Sequence, residues 1–277
     1  QGDVEVVLGQ ALRDLPRSSY VLINKLGGKM GPTPNQIGRG GKYLKEQCDA
    51  SLKRLGLDYI DLIMCHRPMP DESIEDTVYA MDDLIRQGKA LYWGVSNWAG
   101  WRIVKAQAIA HQRQLRPMVA AEPRYNLLFR FPELELFPAT VDEGISHVVY
   151  SPLAQGMLTA KYKPSEPPPQ GSRAADDHDG KYIRKLYLNE TNKQRTAELA
   201  AVAGDLGTTA GNLAIAWTLH HPQVASALTG AKSPDQVREN AAAATLKLSP
   251  EILARLATLF PQRRDVWIGE GEIPSLA

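Results

Sequence analysis

Short apolar runs alternate with stretches of helical period along most of the chain. Tyr20-Val21-Leu22-Ile23 fits a short buried strand, and Tyr43 to Arg54 follows with helical spacing and one polar face. Tyr59-Ile60-Asp61-Leu62-Ile63-Met64-Cys65 predicts a second strand. Ser73 to Gln87 reads as a helix, with Ser73 as N-cap, Asp76 three residues on and Gly88 as the stop. Ala90 to Val95 predicts a third strand, and a helix near Trp101 to Gln112 follows. Met118 to Glu122, His147 to Tyr150 and Val224 to Thr229 predict three more strands, the last preceded by a helix around Asn212 to His220. The closing helices fall near Pro234 to Ala243 and Pro250 to Leu259, and the tail after Arg263 carries no readable pattern.

Near-continuous apolar strands separated by helices imply parallel strands covered by helices on their faces. An open dinucleotide-binding sheet should carry G-x-G-x-x-G after its first strand, and the chain has no such motif. Six strand–helix units therefore fit part of a (β/α)₈ barrel, read as one domain over residues 1–277. In that fold the active site lies at the C-terminal ends of the strands. The stretch from Lys163 to Gly180 breaks the rhythm with four prolines and the run Asp176-Asp177-His178-Asp179, and predicts a long irregular loop that is functional or disordered. Gly38-Arg39-Gly40-Gly41-Lys42 lacks phosphate-loop spacing, with Tyr43 where Ser or Thr is required, and reads as a flexible lead into a helix.

Composition narrows the classes. A net charge of +1 gives no electrostatic footprint for nucleic acid or an anionic membrane. Two cysteines, Cys48 and Cys65, suggest a reducing compartment, and no apolar run is long enough to span a bilayer, so the cytoplasm is the default location. Of six histidines only His66 ends a strand, which argues against a metal-dependent barrel hydrolase needing three or four converging ligands.

Three strand ends carry polar residues. The first run closes on Asn24-Lys25; the lysine is either snorkelling to the rim or functional. The second closes on His66-Arg67-Pro68, where the histidine is a hydrogen-bonded strand-end residue or a catalytic one. The third closes on Gly94-Val95-Ser96-Asn97-Trp98, which suits a turn or an amide-binding site. Their occurrence at successive strand ends favours a site.

These residues carry a resemblance. Leu55-Gly56-Leu57-Asp58-Tyr59-Ile60-Asp61-Leu62 with His66-Arg67-Pro68, then Gly94-Val95-Ser96-Asn97, then Tyr150-Ser151-Pro152-Leu153, then Gly230-Ala231-Lys232-Ser233 with Gln236, Glu239 and Asn240, resemble the aldo-keto reductases in order from Val4 to about Pro261. Met81 to Lys89 and the Lys161-Tyr162 to Ser172-Arg173 loop resemble the branch with the potassium-channel β-subunits and their bacterial relatives. The resemblance implies an NADP(H)-dependent oxidoreductase acting on a small carbonyl or alcohol substrate, able to form a homo-oligomer. It implies that Lys25 lowers the pKa of a proton-donating tyrosine and that His66 orients the carbonyl. Ser96, Asn97 and the Glu122 position would hold the carboxamide, and Tyr150 would stack on the nicotinamide beside Ser151, Leu153 and Gln155. Lys161, Arg173, Gly230, Lys232 and Gln236 would meet the phosphates, with Glu239 and Asn240 on the adenine.

Two departures stand out. Gly2-Asp3-Val4-Glu5 is similar to the family's helix opening, so its catalytic tyrosine and aspartate, with the first two strands, are expected upstream of Gln1. Within this chain Lys25 is then expected to lack its acidic partner, and the chain alone to lack normal reductase activity. The second departure is Glu122, where the family usually has glutamine; an ionised carboxylate accepts but cannot donate, and its charge would favour the oxidised cofactor. The rival function is a cofactor-binding regulatory subunit with little turnover. Trp98, Trp101, Arg67 and the Gly27 to Gly41 loop are candidates for the substrate mouth.

Overall fold

A computed structural model of the chain describes residues 2–38, 40–69 and 72–262. Arg39 of the glycine-rich loop and the tail from Arg263 lie outside the described residues. The order is α1 (Asp3–Leu12), β1 (Ile23–Leu26), α2 (Gly41–Leu55), β2 (Ile60–Cys65), α3 (Ile74–Arg86), β3 (Ala90–Ser96), α4 (Gly100–Gln112), β4 (Ala120–Glu122), α5 (Leu136–Asp142), β5 (Ser146–Tyr150), α6 (Lys181–Leu186), α7 (Glu190–Asp205), α8 (Ala210–His220), β6 (Val224–Leu228), α9 (Pro234–Ala242) and α10 (Pro250–Leu259). The six strands form a parallel sheet in chain order, the α/β arrangement of a (β/α)₈ barrel. The chain divides into two compact units: the described residues to Glu122 with Ala139–Ser146, and Pro123–Pro138 with His147 onward.

In the first unit the register aligns Lys25 with Met64, Met64 with Gly94, Gly94 with Ala120, and Ser96 with Glu122. Side chains alternate faces along a strand, so Ile23, Lys25, Leu62, Met64, Tyr92, Gly94, Ser96, Ala120 and Glu122 share one face. Ile63, Cys65, Trp93 and Val95 take the other face and are fully buried, as are Val78, Met81 and Leu84 of α3. On the first face Leu62 and Met64 of β2 pack with Ala120 of β4, and Ile23 packs against them. Flat neighbours two strands apart stand about 10 Å from each other. Contact between β2 and β4 therefore means that the sheet curves about this face, with side-chain-free Gly94 between them. A Cβ on Gly94 would lie 2.4 Å from the Ala120 carbonyl oxygen, so only glycine lets β3 and β4 approach.

The helix ends follow the sequence. The Ser73 side chain accepts from Asp76 N–H, Glu75 and Asp76 oppose the positive end of α3, and Gly88 stops the turn at φ 73°. The first strand differs from expectation: it starts at Ile23 rather than Tyr20 and takes in Asn24 and Lys25. Asp61 accepts from Leu22 N–H at 2.8 Å and Arg17 binds the Tyr20 carbonyl, which leaves Val21 exposed. The polar residues enter the strand because each has a partner: Asn24 donates to Glu5 at 2.8 Å, and Lys25 meets Glu122.

In the second unit β5 and β6 pair from His147–Val224 to Tyr150–Leu228. Tyr125 stacks on Trp217 at 5.1 Å and meets the edge of Phe137 at 5.0 Å, and Phe137 lies 4.5 Å from His147. The Lys163–Gly180 segment is irregular except for a short turn at Arg173–Ala175. Hydrogen bonds hold it: Arg184 donates to the carbonyls of Ala174 and Asp176, and Lys193 to that of Glu166.

Candidate active site

At the strand ends of the first unit, Lys25 Nζ lies 2.9 Å from Glu122 Oε1. The Glu122 side chain is 3% exposed and that of Lys25 33%. Lys25 thus has an acidic partner within the chain, contrary to the expectation that it would have none. Both side chains belong to the same curved face, which brings β1 to β4. Burial pushes the Glu122 carboxyl above the ordinary carboxylate range, against the pull of Lys25. Its other oxygen, Oε2, is buried and has no hydrogen-bond partner.

Ser96 and Asn97 gather at the same point. Ser96 Oγ donates to the Glu122 carbonyl at 3.1 Å, Asn97 N–H donates to that carbonyl at 3.1 Å, and Asn97 Nδ2 donates to Ser96 Oγ at 2.9 Å. Asn97 turns the chain off the strand in the left-handed conformation, φ 60°. His66 follows β2 directly, its N–H bonded to the Leu26 carbonyl at 3.0 Å. One residue beyond the Cys65–Val95 pair, it continues the face that carries Ser96. The adjacent Trp98 is buried, and its indole N–H has no partner. A separate hollow lies at the opposite, N-terminal strand ends, between α1 and the end of α2, and includes neither Lys25 nor His66. Two of its cations, Arg17 and Arg54, are already paired with Asp61 and Glu5.

The second unit carries the other candidates. Tyr150 ends β5, and the chain then runs through left-handed residues: Ser151, Ala154, Gln155, Gly156 and Ala160. Four of these are not glycine, a concentration of costly backbone that marks functional turns. Gln155 Nε2 donates to Ser151 Oγ at 2.9 Å and Gln155 Oε1 accepts from Arg173, so the long loop folds back on this turn. Leu153 packs beside the start of α8, within reach of Gly211. Partial desolvation and the neighbouring cations Lys232 and Arg173 hold the Lys161 ammonium below its ordinary pKa. The Lys161 ammonium thus feels the charges of Arg173 and Lys232, both far from it in sequence.

Lys232 immediately precedes the N-cap of α9, Ser233, whose side chain accepts from Gln236 N–H. Gln236 Oε1 is committed to Lys232 N–H at 2.7 Å, which leaves its amide NH₂ as the group able to meet an anion. Glu239 accepts from Thr209 Oγ1 at 3.0 Å and so ties α9 to the N-cap of α8. Asn240 is half-buried and Gly230 exposed. Arg238, which the sequence reading missed, lines a shallow hollow with Lys232 and Ser233. Its signal was one helical turn from Asp235, with which it pairs at 2.6 Å.

Residues 1–260 match the model of the Aldo/keto reductase family. A Schizosaccharomyces pombe protein named provisionally as a voltage-gated potassium channel subunit beta is 39% identical over 263 residues, 92% of this chain and 76% of that protein. An Arabidopsis thaliana protein named a probable voltage-gated potassium channel subunit beta is 36% identical, over 95% of this chain and 80% of its own length. A protein of the same name from Oryza sativa subsp. japonica is also 36% identical, with the same coverage. The chain belongs to the aldo/keto reductase family, a family of oxidoreductases.

Proposed function

We propose that the chain binds NADP(H) and uses it to interconvert aldehydes or ketones and their alcohols. The observation that carries this reading is that Lys161 feels the charges of both Arg173 and Lys232, and that Lys232 immediately precedes the N-cap of α9. Three cations and a helix N-terminus form a site for a multiply charged anion, and the adenosine 2′-phosphate is the group that distinguishes NADP from NAD. Within the first unit, the orphaned Glu122 oxygen independently suits a nicotinamide carboxamide, whose NH₂ would satisfy it.

The cofactor supplies the hydride when bound. Ser96, Asn97 and Glu122 hold and orient the carboxamide, and Tyr150 offers its ring face to the nicotinamide. Lys161, Arg173, Lys232 and the Gln236 amide neutralise the phosphates, Gly230 leaves room for their approach, and Ser151, Leu153 and Gln155 shape the turn. Glu239 and Asn240 flank the adenine. His66 would hydrogen-bond the substrate carbonyl and orient it, while the Lys25 ammonium would lower the pKa of the tyrosine that, in the family mechanism, gives its proton to the oxygen as the hydride arrives at the carbon. Cys48 and Cys65 are buried and not joined in a disulfide, which supports a reducing compartment such as the cytoplasm. Among the described residues, no helix is long and apolar enough to cross a membrane.

A second reading has its own support: the relatives are named as potassium channel β-subunits, so the chain could bind cofactor as a regulatory subunit with little turnover. Titration with NADPH, followed by NADPH oxidation with a panel of aldehydes, separates the two. Saturable binding with aldehyde-dependent oxidation supports the reductase. Binding without oxidation supports the regulatory subunit, and absence of binding contradicts both.

A further inference from the structure

We propose that Glu122 makes the strand-end site a reader of cofactor oxidation state, holding the oxidised nicotinamide in preference to the reduced one; this rests on the NADP(H) reading above. Glu122 is held at both its side chain and its main chain. Its side chain meets Lys25 through Oε1 at 2.9 Å, and its own main-chain carbonyl accepts from both Ser96 Oγ and Asn97 N–H at 3.1 Å. The main-chain bonds fix the backbone, and the ion pair with burial holds the carboxylate in the site. With 3% of the side chain exposed, Oε2 has neither solvent nor a protein donor.

A buried carboxylate oxygen is an acceptor only, so the ligand that completes it brings an N–H donor, positive charge or both. The carboxamide NH₂ supplies the donor in either oxidation state. Only the oxidised ring also carries positive charge. Because Lys25 occupies Oε1, the ion pair presents its negative end at Oε2, the atom left for the ligand. Water exclusion strengthens that field, while Lys25 limits it to that of a dipole. The two forms then differ by about the worth of one charge-assisted contact, roughly tenfold in affinity.

The test measures dissociation constants for NADP⁺ and NADPH separately, by tryptophan fluorescence quenching, in the wild type, Glu122→Gln and Ser96→Ala. The wild type binds NADP⁺ more tightly than NADPH. Glu122→Gln reduces that preference by about tenfold, because the amide keeps the shape without the charge. Ser96→Ala weakens both nucleotides alike and leaves the ratio unchanged. An unchanged ratio in Glu122→Gln, with both nucleotides bound, overturns the proposal. If that variant does not fold, the wild type decides, and tighter NADPH than NADP⁺ overturns it. Failure of the wild type to bind either nucleotide overturns the underlying NADP(H) reading instead.

Discussion

Lys25 and Glu122 share one contact but not one environment. A third of the Lys25 side chain reaches solvent, whereas Glu122 is almost wholly enclosed. Removing either partner strands the other, and the cost depends on which is left behind. Lys25→Met leaves a buried carboxylate without its cation, which costs about 2 kcal/mol, below the full cost of breaking a buried pair because the lysine is partly solvated. Glu122→Gln leaves a lysine that water can serve, at about 1 kcal/mol or less. Urea unfolding of both variants at neutral pH checks this order; an equal or reversed order would show that the pair is not enclosed as described. Each residue was marked from the sequence, Lys25 by ending an apolar run and Glu122 by departing from a family pattern. Their pairing was not legible, because it depends on curvature that brings β1 to β4, and no local signal encodes curvature. The small side chains near it, Gly94 and Ala120, are what permit it.

Elements built on apolar periodicity were legible, and those built on small or polar residues were not. The strands β2, β3, β5 and β6 and the helices α3, α4, α9 and α10 fall within a few residues of their expected bounds. The helix α7 was missed because its buried face is Lys193, Thr196, Leu199, Val202 and Ala203, which carries little apolar signal. Lys193 is accommodated there by donating to the Glu166 carbonyl and to Glu190, each at 2.8 Å. The turn after β5 was read only through its family likeness, and its left-handed residues were invisible in the sequence. Ala160 sits there at φ 58°. An L-residue pays about 1–2 kcal/mol for that conformation, and glycine avoids it at an entropic cost of about 0.5–1 kcal/mol. Ala160→Gly is therefore expected to stabilise the fold by up to about 1 kcal/mol, read as a higher urea midpoint with unchanged slope. A lower midpoint would mean that the alanine methyl makes contacts worth more than the strain.

For the molecule as a whole, the pH range of stability should bear the mark of buried histidine. Desolvation pushes His147 down to about 4 from 6.5, with His221 adding to the effect and a hydrogen bond with the Gln223 backbone opposing it. The folded pKa lies below the unfolded one, so the unfolded chain takes up the proton first. This contribution is complete above pH 6.5 and is lost as pH falls towards 4, up to about 3 kcal/mol in all. His147→Phe should flatten the fall in unfolding free energy between pH 7 and pH 5; an unaltered slope would assign the acid sensitivity elsewhere. The proposed NADP(H) function requires Lys161, Arg173 and Lys232 to select a phosphorylated dinucleotide. Calorimetric titration with NADPH and with NADH, at low and high salt, tests this most directly. NADPH is expected to bind at least about tenfold tighter, with a preference that shrinks as salt screens the cations and that Lys232→Ala removes. Equal affinity for the two nucleotides, or a preference insensitive to both salt and Lys232→Ala, would contradict it.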